Sequence, residues 1–391
     1  MESTKEFDII VYGATGFTGR LVAEYLAKEY ANDAAIKWAM AGRSAAKLAQ
    51  VRDEIGAAQN TPLVVADAED APSMQAMVSR TKCILTTVGP YQLYGSELVA
   101  LCARTGTDYV DLCGEPVWMR HMLDANLAAA QKSGARIVFS CGFDSIPFDL
   151  GVYYLQQLAR QQWGRTASRI KGRVRKMQGT FSGGTAASLK ATLVSAKQNP
   201  AEMQLLLNPF SLVPGFQGAQ QPPGNQPYFD DTLNTWVAPF IMAAINTRNV
   251  HRSNALLDFA YGEDFVYDEM MMTGPGEKGE AIANAIAADK SMGKEGGPKP
   301  GEGPSKAERE AGFYDVLFIA EGEKGEVLKA SVSGDLDPGY GSTSRMIAES
   351  AICLVTQARD TKGGIWTTAP AMGDKLIKRL SDHAGLVFKQ E

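Results

Sequence analysis

The apolar positions of this chain follow two rhythms. Over the first 150 residues, short apolar runs at 7–12, 36–41, 62–66, 83–88, 109–112 and 136–140 predict strands. Between most of them, apolar residues recur every three or four positions, which predicts helices at 20–30, 45–55, 73–80, 96–104 and 118–132. Such alternation implies right-handed crossovers and a parallel sheet with helices on both faces. Ligands in that architecture sit off the carboxyl ends of the strands. A helix at 150–160 follows, and after Gly164 the rhythm changes. Residues 169–179, 255–260 and 265–272 look like strands, and 313–320 with 327–332 read as a hairpin turning at Lys324-Gly325. An Ala-rich stretch at 280–290 and the stretches 344–356 and 371–380 predict helices, and 296–305 is a polar surface loop. The fold class is therefore α/β: an N-terminal Rossmann doubly wound parallel sheet at 1–150, then a second, mixed α+β domain at 151–340. Residues 341–391 supply C-terminal helices that return to the first domain.

The strand 7–12 ends in Gly13-Ala14-Thr15-Gly16-Phe17-Thr18-Gly19, and a helix follows at once. Strand, glycine turn and helix form the opening of a dinucleotide-binding unit. Gly13 allows the tight turn, Gly16 clears a path for a pyrophosphate, and Gly19 lets the helix lie on the sheet. The free N–H groups of the helix N-terminus then face the phosphates. A tight turn without a ligand is the alternative. The loop after the second strand, Gly42-Arg43-Ser44, lacks the acid that accepts from a ribose 2′-hydroxyl in NAD sites. Arg43 offers a fork of donors suited to a phosphate, and Ser44 a further hydrogen bond, which favours NADP(H). A solvated arginine is the bland alternative. Asp67, after the third strand, lies where adenine contacts occur, with a strand-end cap as the alternative. Val88 and Gly89, after the fourth, let backbone approach the cofactor, and Tyr91 projects toward the nicotinamide end as a candidate proton donor; a Gly-Pro turn that only stops the strand is the equal alternative.

Ser140-Cys141-Gly142-Phe143-Asp144-Ser145-Ile146-Pro147 ends the sixth strand. It places Cys141, Asp144 and Ser145 beside the nicotinamide cleft, with Asp144 and Ser145 as substrate-positioning groups. Either of those two also suits an N-cap. Ser182-Gly183-Gly184-Thr185 offers a nest of backbone donors or a helix cap. Arg248, His251 and Arg252, in 246–253, are candidates for an anionic group or are solvated loop residues.

Composition narrows the classes. The net charge of −5 gives no basic footprint for nucleic acid. Five cysteines without metal-ligand spacing point to a reducing, cytoplasmic compartment and no metal. The apolar stretch 236–245 is too short to span a membrane. It reads as a buried helix, with a pocket wall or a membrane-surface contact as alternatives.

Several segments together resemble the saccharopine dehydrogenase-like oxidoreductases, most closely their trans-acting enoyl reductase branch. They are the glycine turn, Ala41-Gly42-Arg43, Val88-Gly89-Pro90-Tyr91, Asp108-Tyr109-Val110-Asp111-Leu112-Cys113-Gly114-Glu115 and Cys141 to Pro147. Ser182 to Thr185, Lys299-Pro300-Gly301-Glu302-Gly303-Pro304 and Asp337-Pro338-Gly339-Tyr340 extend the likeness over nearly the whole chain. The resemblance implies a nicotinamide-dependent reductase acting on a lipid-like or polyketide-derived, apolar substrate, and it is compatible with a homodimer. Imine reduction between amino-acid partners is the alternative enzyme reading, although no arginine cluster stands ready for two carboxylated partners. A nucleotide-binding protein without turnover, or one resting on a lipid surface, is the alternative outside enzymology.

Overall fold

The computed structural model describes residues 5–31, 35–179, 188, 191, 192, 194, 195, 197–289 and 302–391. Two seven-stranded sheets organise them. The first contains β1 (Phe7–Tyr12), β2 (Trp38–Gly42), β3 (Leu63–Val65), β4 (Thr81–Thr86), β5 (Asp108–Val110), β6 (Arg136–Val138) and β13 (Gly364–Trp366). Their order is β13-β6-β5-β4-β1-β2-β3, with every pairing parallel. The order reverses beside β1, so the loops after β1 and β4 splay apart and leave a crevice at the carboxyl ends. Alternate residues of the strands feed two cores: Ile9, Val11, Cys83 and Leu85 face one, Ile10, Tyr12 and Ile84 the other. Both faces of these strands are dry, which explains why they read as continuous apolar runs.

The second sheet is mixed, in the order β14-β12-β11-β7-β10-β9-β8. Its strands are β7 (Arg169–Gln178), β8 (Tyr228–Asp230), β9 (Thr235–Pro239), β10 (Val266–Gly274), β11 (Phe313–Glu321), β12 (Val327–Gly334) and β14 (Val387–Gln390). β7 and β10 are parallel, and the other pairings are antiparallel. The helix Ile146–Trp163, running on from the loop after β6, packs on β11 and β12. Gly151 permits that approach, because a Cβ there would stand 2.3 Å from the Phe318 ring. The helix Thr343–Thr356 packs on β4, β5 and the helix Phe17–Glu29. β13 then joins the first sheet and β14 the second.

Three expectations are corrected here. Residues 236–245 are not one buried helix. Trp236 to Pro239 lie in β9, paired antiparallel with β10, and a helix begins only at Ala243. Pro239 lacks the N–H that a helix interior requires, and Trp236 and Val237 favour the pleated surface. The helix Ala243–Leu256 also absorbs 246–253, so Arg248, His251 and Arg252 belong to no loop. All three are buried. Arg248 donates to Ser211 Oγ at 3.1 Å and to the carbonyls of Ala244 and Leu206, and Arg252 to those of Leu212 and Ile365. These guanidiniums satisfy backbone carbonyls within the fold. Finally, 255–260 is no strand: it ends that helix and turns, with Asp258 and Phe259 at positive φ. Ser182 to Thr185 and Lys299 to Gly301 lie outside the described residues.

Candidate active site

A cleft of about 860 Å³ lies between the two sheets at the carboxyl ends of β1, β2, β4, β5 and β6. Gly13, Thr15, Gly16, Phe17, Thr18, Arg43, Asp67, Val88, Gly89, Tyr91 and Asp144 all line it, which brings most of the candidate residues together. Ala14, Ser44, Cys141 and Ser145 are not among the lining residues. Ala14 is in the core, with its N–H on the Ala41 carbonyl at 3.1 Å. Ser44 caps the helix Ala45–Glu54 by accepting the Lys47 N–H. Cys141 is buried, with its thiol near the Val138 carbonyl. Ser145 is buried, and its Oγ accepts from Asn249 Nδ2 at 2.8 Å. It stands at the N-cap of the helix Ile146–Trp163 without a capping bond from its side chain.

The glycine turn fits a dinucleotide. Gly13 adopts φ +90°, and a Cβ there would stand 2.7 Å from Val88 Cγ2. The Gly16 N–H closes the turn on the Gly13 carbonyl at 2.9 Å, and Gly16 then caps the helix Phe17–Glu29. A Cβ on Gly19 would lie 2.1 Å from the Gly13 carbonyl oxygen, so this glycine seats the helix on the turn. The helix start is left facing the cleft, where its N–H groups and dipole suit phosphate. Arg43 lines the same cleft, exposed, and is its sole cation among the described residues. Arg43→Ala is expected to weaken NADPH by roughly 1.5–3 kcal/mol, the range for hydrogen bonds to a charged group, and to leave NADH nearly unchanged. Equal wild-type affinities for the two cofactors in titration calorimetry would remove this role.

Tyr91 presents its ring to the cleft, and backbone takes up its hydroxyl. The O–H donates to the Thr86 carbonyl at 3.4 Å and accepts the Leu112 N–H at 3.1 Å. Burial, followed by the charge of Asp111, holds the phenol well above its ordinary value. The ring packs on Trp118 at 5.6 Å and backs Gly89. Tyr91 thus shapes the floor of the cleft, with its hydroxyl engaged by backbone on two sides. Tyr91→Phe is expected to retain turnover and to cost about 1 kcal/mol of stability, because the Leu112 N–H loses its acceptor. Chemical denaturation beside steady-state kinetics checks both halves of this expectation.

Asp144 has the complementary character. It lines the cleft, while its Oδ1 is enclosed without a hydrogen-bond partner among the described residues. Burial raises this carboxyl to about 7. Below that pH it is a neutral acid with a proton to give. The turn that carries it is pinned where the Phe143 N–H donates to Thr343 Oγ1 at 2.9 Å. Behind it stands Glu269 on β10, raised to about 8 by burial and, secondarily, by the charge of Asp144. Glu269 accepts from Asn246 Nδ2 and Tyr267 OH, each at 2.9 Å.

The opposite wall of the cleft was not legible as a site in the sequence. Met177, Leu206, Ile241, Met242, Ala244 and Ile245 form it, drawn from three separate stretches of the chain. The apolar stretch 236–245 was the one signal available, through its pocket-wall alternative. Among the described lining residues between Leu112 and Ile245, Asp144 alone is ionisable.

Comparison with known proteins adds to this geometry. Residues 9–138 match the saccharopine dehydrogenase NADP binding domain. The chain is similar to a Mycobacterium tuberculosis protein provisionally named a trans-acting enoyl reductase, 42% identical over 405 aligned positions covering 96% of each chain. It is similar also to the trans-acting enoyl reductase of Mycobacterium ulcerans, 37% identical over 406 positions and again 96% of each chain. Among solved structures, the L-Glu-forming saccharopine dehydrogenase of Saccharomyces cerevisiae matches with a TM-score of 0.55 at 12% identity, covering 98% of this chain and 99% of that one. The homospermidine synthase of Legionella pneumophila matches with a TM-score of 0.54 at 10% identity, over 99% and 91%. At such identities the likeness to these two is one of fold.

Proposed function

This chain belongs to the trans-acting enoyl reductases of the saccharopine dehydrogenase-like oxidoreductases, and from that premise we propose that it reduces the carbon–carbon double bond of an enoyl group on an apolar chain, with Asp144 as proton donor. It is a nicotinamide-dependent oxidoreductase, and its cofactor is NADP(H). The observation that carries the substrate class is the apolar wall of the cleft, where Asp144 is the single ionisable group among the described lining residues between Leu112 and Ile245. An amino-acid substrate needs a cation for its carboxylate. The two arginines of the helix Ala243–Leu256 already serve backbone carbonyls, so the amino-acid reading gains nothing from them.

Bound NADPH supplies a hydride. The protein orients the acceptor, excludes water and provides a proton. Tyr91 and Gly89 form the floor on the cofactor side, and Met177, Leu206 and Met242 hold the apolar chain against it. As the β-carbon gains a C–H bond, the electron pair of the double bond moves toward the α-carbon and its carbonyl. Asp144 then gives its proton to the α-carbon and is left as a carboxylate. Its high affinity for a proton suits it to be reloaded at neutral pH. A panel of enoyl thioesters and imines, followed by NADPH absorbance, tests the assignment: consumption with the thioesters supports it, and consumption with the imines alone would replace it.

A further inference from the structure

Glu115 is buried, and it is not required by the chemistry above. It stands at the N-cap of the helix Pro116–Ser133, beside the lining residue Gly114. Its Oε2 accepts the Gln92 N–H at 2.9 Å. Its Oε1 accepts the Tyr91 N–H at 2.9 Å and the Ser188 hydroxyl at 2.8 Å. One carboxylate therefore ties the loop that floors the cofactor side to Ser188, a lining residue from beyond β7 in the chain. A second bond, from Gln92 Nε2 to Thr192 Oγ1 at 3.3 Å, runs alongside it, and Ser188 and Thr192 both line the cleft.

We propose that Glu115 is a positioning residue that couples this loop to Ser188 and Thr192, so that NADPH seated against Gly89 and Tyr91 also fixes those two side chains for the apolar substrate. The proposal rests on the enoyl reductase reading, in which the apolar chain lies in the cleft that Ser188 and Thr192 line. A carboxylate suits this task because two oxygens accept from several donors at once, and bonds to an ionised acceptor are the stronger kind. Glutamine has one acceptor oxygen, so Glu115→Gln must surrender part of the joint, whereas Ser188→Ala removes only the substrate-side bond.

Amide hydrogen exchange with NADPH alone tests this without any substrate. In the wild type, saturating NADPH is expected to slow exchange in the peptide carrying Tyr91 and Gln92 and in the peptide carrying Ser188 and Thr192. The second slowing should be about five- to tenfold, the lower part of the usual range for coupled sites. In Ser188→Ala the first slowing should persist and the second should largely vanish. Glu115→Gln should lose the second as well, and the double variant should lose no more. Ser188→Ala decides the matter alone if Glu115→Gln does not fold. The proposal is overturned if the Ser188 peptide is not slowed in the wild type, or if it is slowed equally in Ser188→Ala. A failure of enoyl reduction would appear in turnover and leave this exchange pattern intact.

Discussion

Asp144→Asn should lower turnover by about 10²–10⁴, the usual contribution of a general acid, with NADPH affinity unchanged. Asparagine keeps the shape of the side chain and removes the proton. The pH profile supplies the sharper signature. The carboxyl is raised from 3.8 to about 7, so its reactive, protonated form is lost as pH rises through about 7. Wild-type turnover is expected to fall along an alkaline limb centred there, and the residual activity of the variant should lack that limb. Stability follows the same linkage. Between about pH 4 and 7 the folded state keeps a proton that the unfolded chain has released, so raising the pH across that window favours unfolding. Asp144→Asn removes this contribution, and its stability relative to wild type should improve as pH rises through the window. A variant with wild-type turnover would take Asp144 out of the chemistry.

The glycine turn carries the second large effect, and its two later glycines separate in their consequences. A Cβ on Gly16 meets only the Gly13 carbonyl oxygen, at 3.3 Å, so the fold tolerates a side chain there with a small adjustment. The added atoms of Gly16→Val then occupy the approach of the pyrophosphate. Overpacking of that kind costs roughly 1–3 kcal/mol, or about 5- to 150-fold in affinity, and it should fall on NADPH binding while the melting temperature moves little. At Gly19 a Cβ would stand 2.1 Å from backbone, so the turn or the helix must shift. Gly19→Ala is therefore expected to lose stability as well as NADPH binding. Calorimetry and thermal melts on both variants make the comparison. Normal NADPH affinity in Gly16→Val would mean that the phosphates lie elsewhere.

What the sequence disclosed and what it concealed divide along a physical line. Six strands of the first sheet were legible because they are short, mostly buried and separated by amphipathic helices, so local pattern and global fold agree, whereas β13 is three residues that join the sheet from far along the chain. Gly13 and Gly19 were legible because backbone geometry demands glycine there, and Gly16 because the motif spaces it between them. Asp144 was placed beside the cleft from its position after β6, but its character as an acid was not, since burial raises it and burial is a property of the assembled fold. Tyr91 was legible as a cleft residue from its place after a Gly-Pro turn, but the hold of the Thr86 carbonyl and the Leu112 N–H on its hydroxyl was not, because Leu112 meets it only in the assembled fold. Ala14 and Ser44 sit within the right motifs, yet one serves the core and the other a helix cap. In the second half, arginines read as loop residues became buried helix residues, because their carbonyl partners come from distant segments such as Leu212 and Ile365. Glu115 gave no local sign of its role: its donors Tyr91, Gln92 and Ser188 meet it only in three dimensions.

The central claim, hydride and proton delivered across an enoyl double bond in an apolar cleft, is tested most directly by isotope placement. The enzyme is given a medium-chain trans-2-enoyl thioester and NADPH carrying deuterium at the transferable position of the nicotinamide, in ordinary water. The saturated product is then read by NMR and mass spectrometry. The account predicts NADPH consumption, with deuterium at the β-carbon, a hydrogen from water at the α-carbon, and loss of product formation in Asp144→Asn. Unreduced thioester beside a deuterium-labelled amine formed from an offered imine would contradict it.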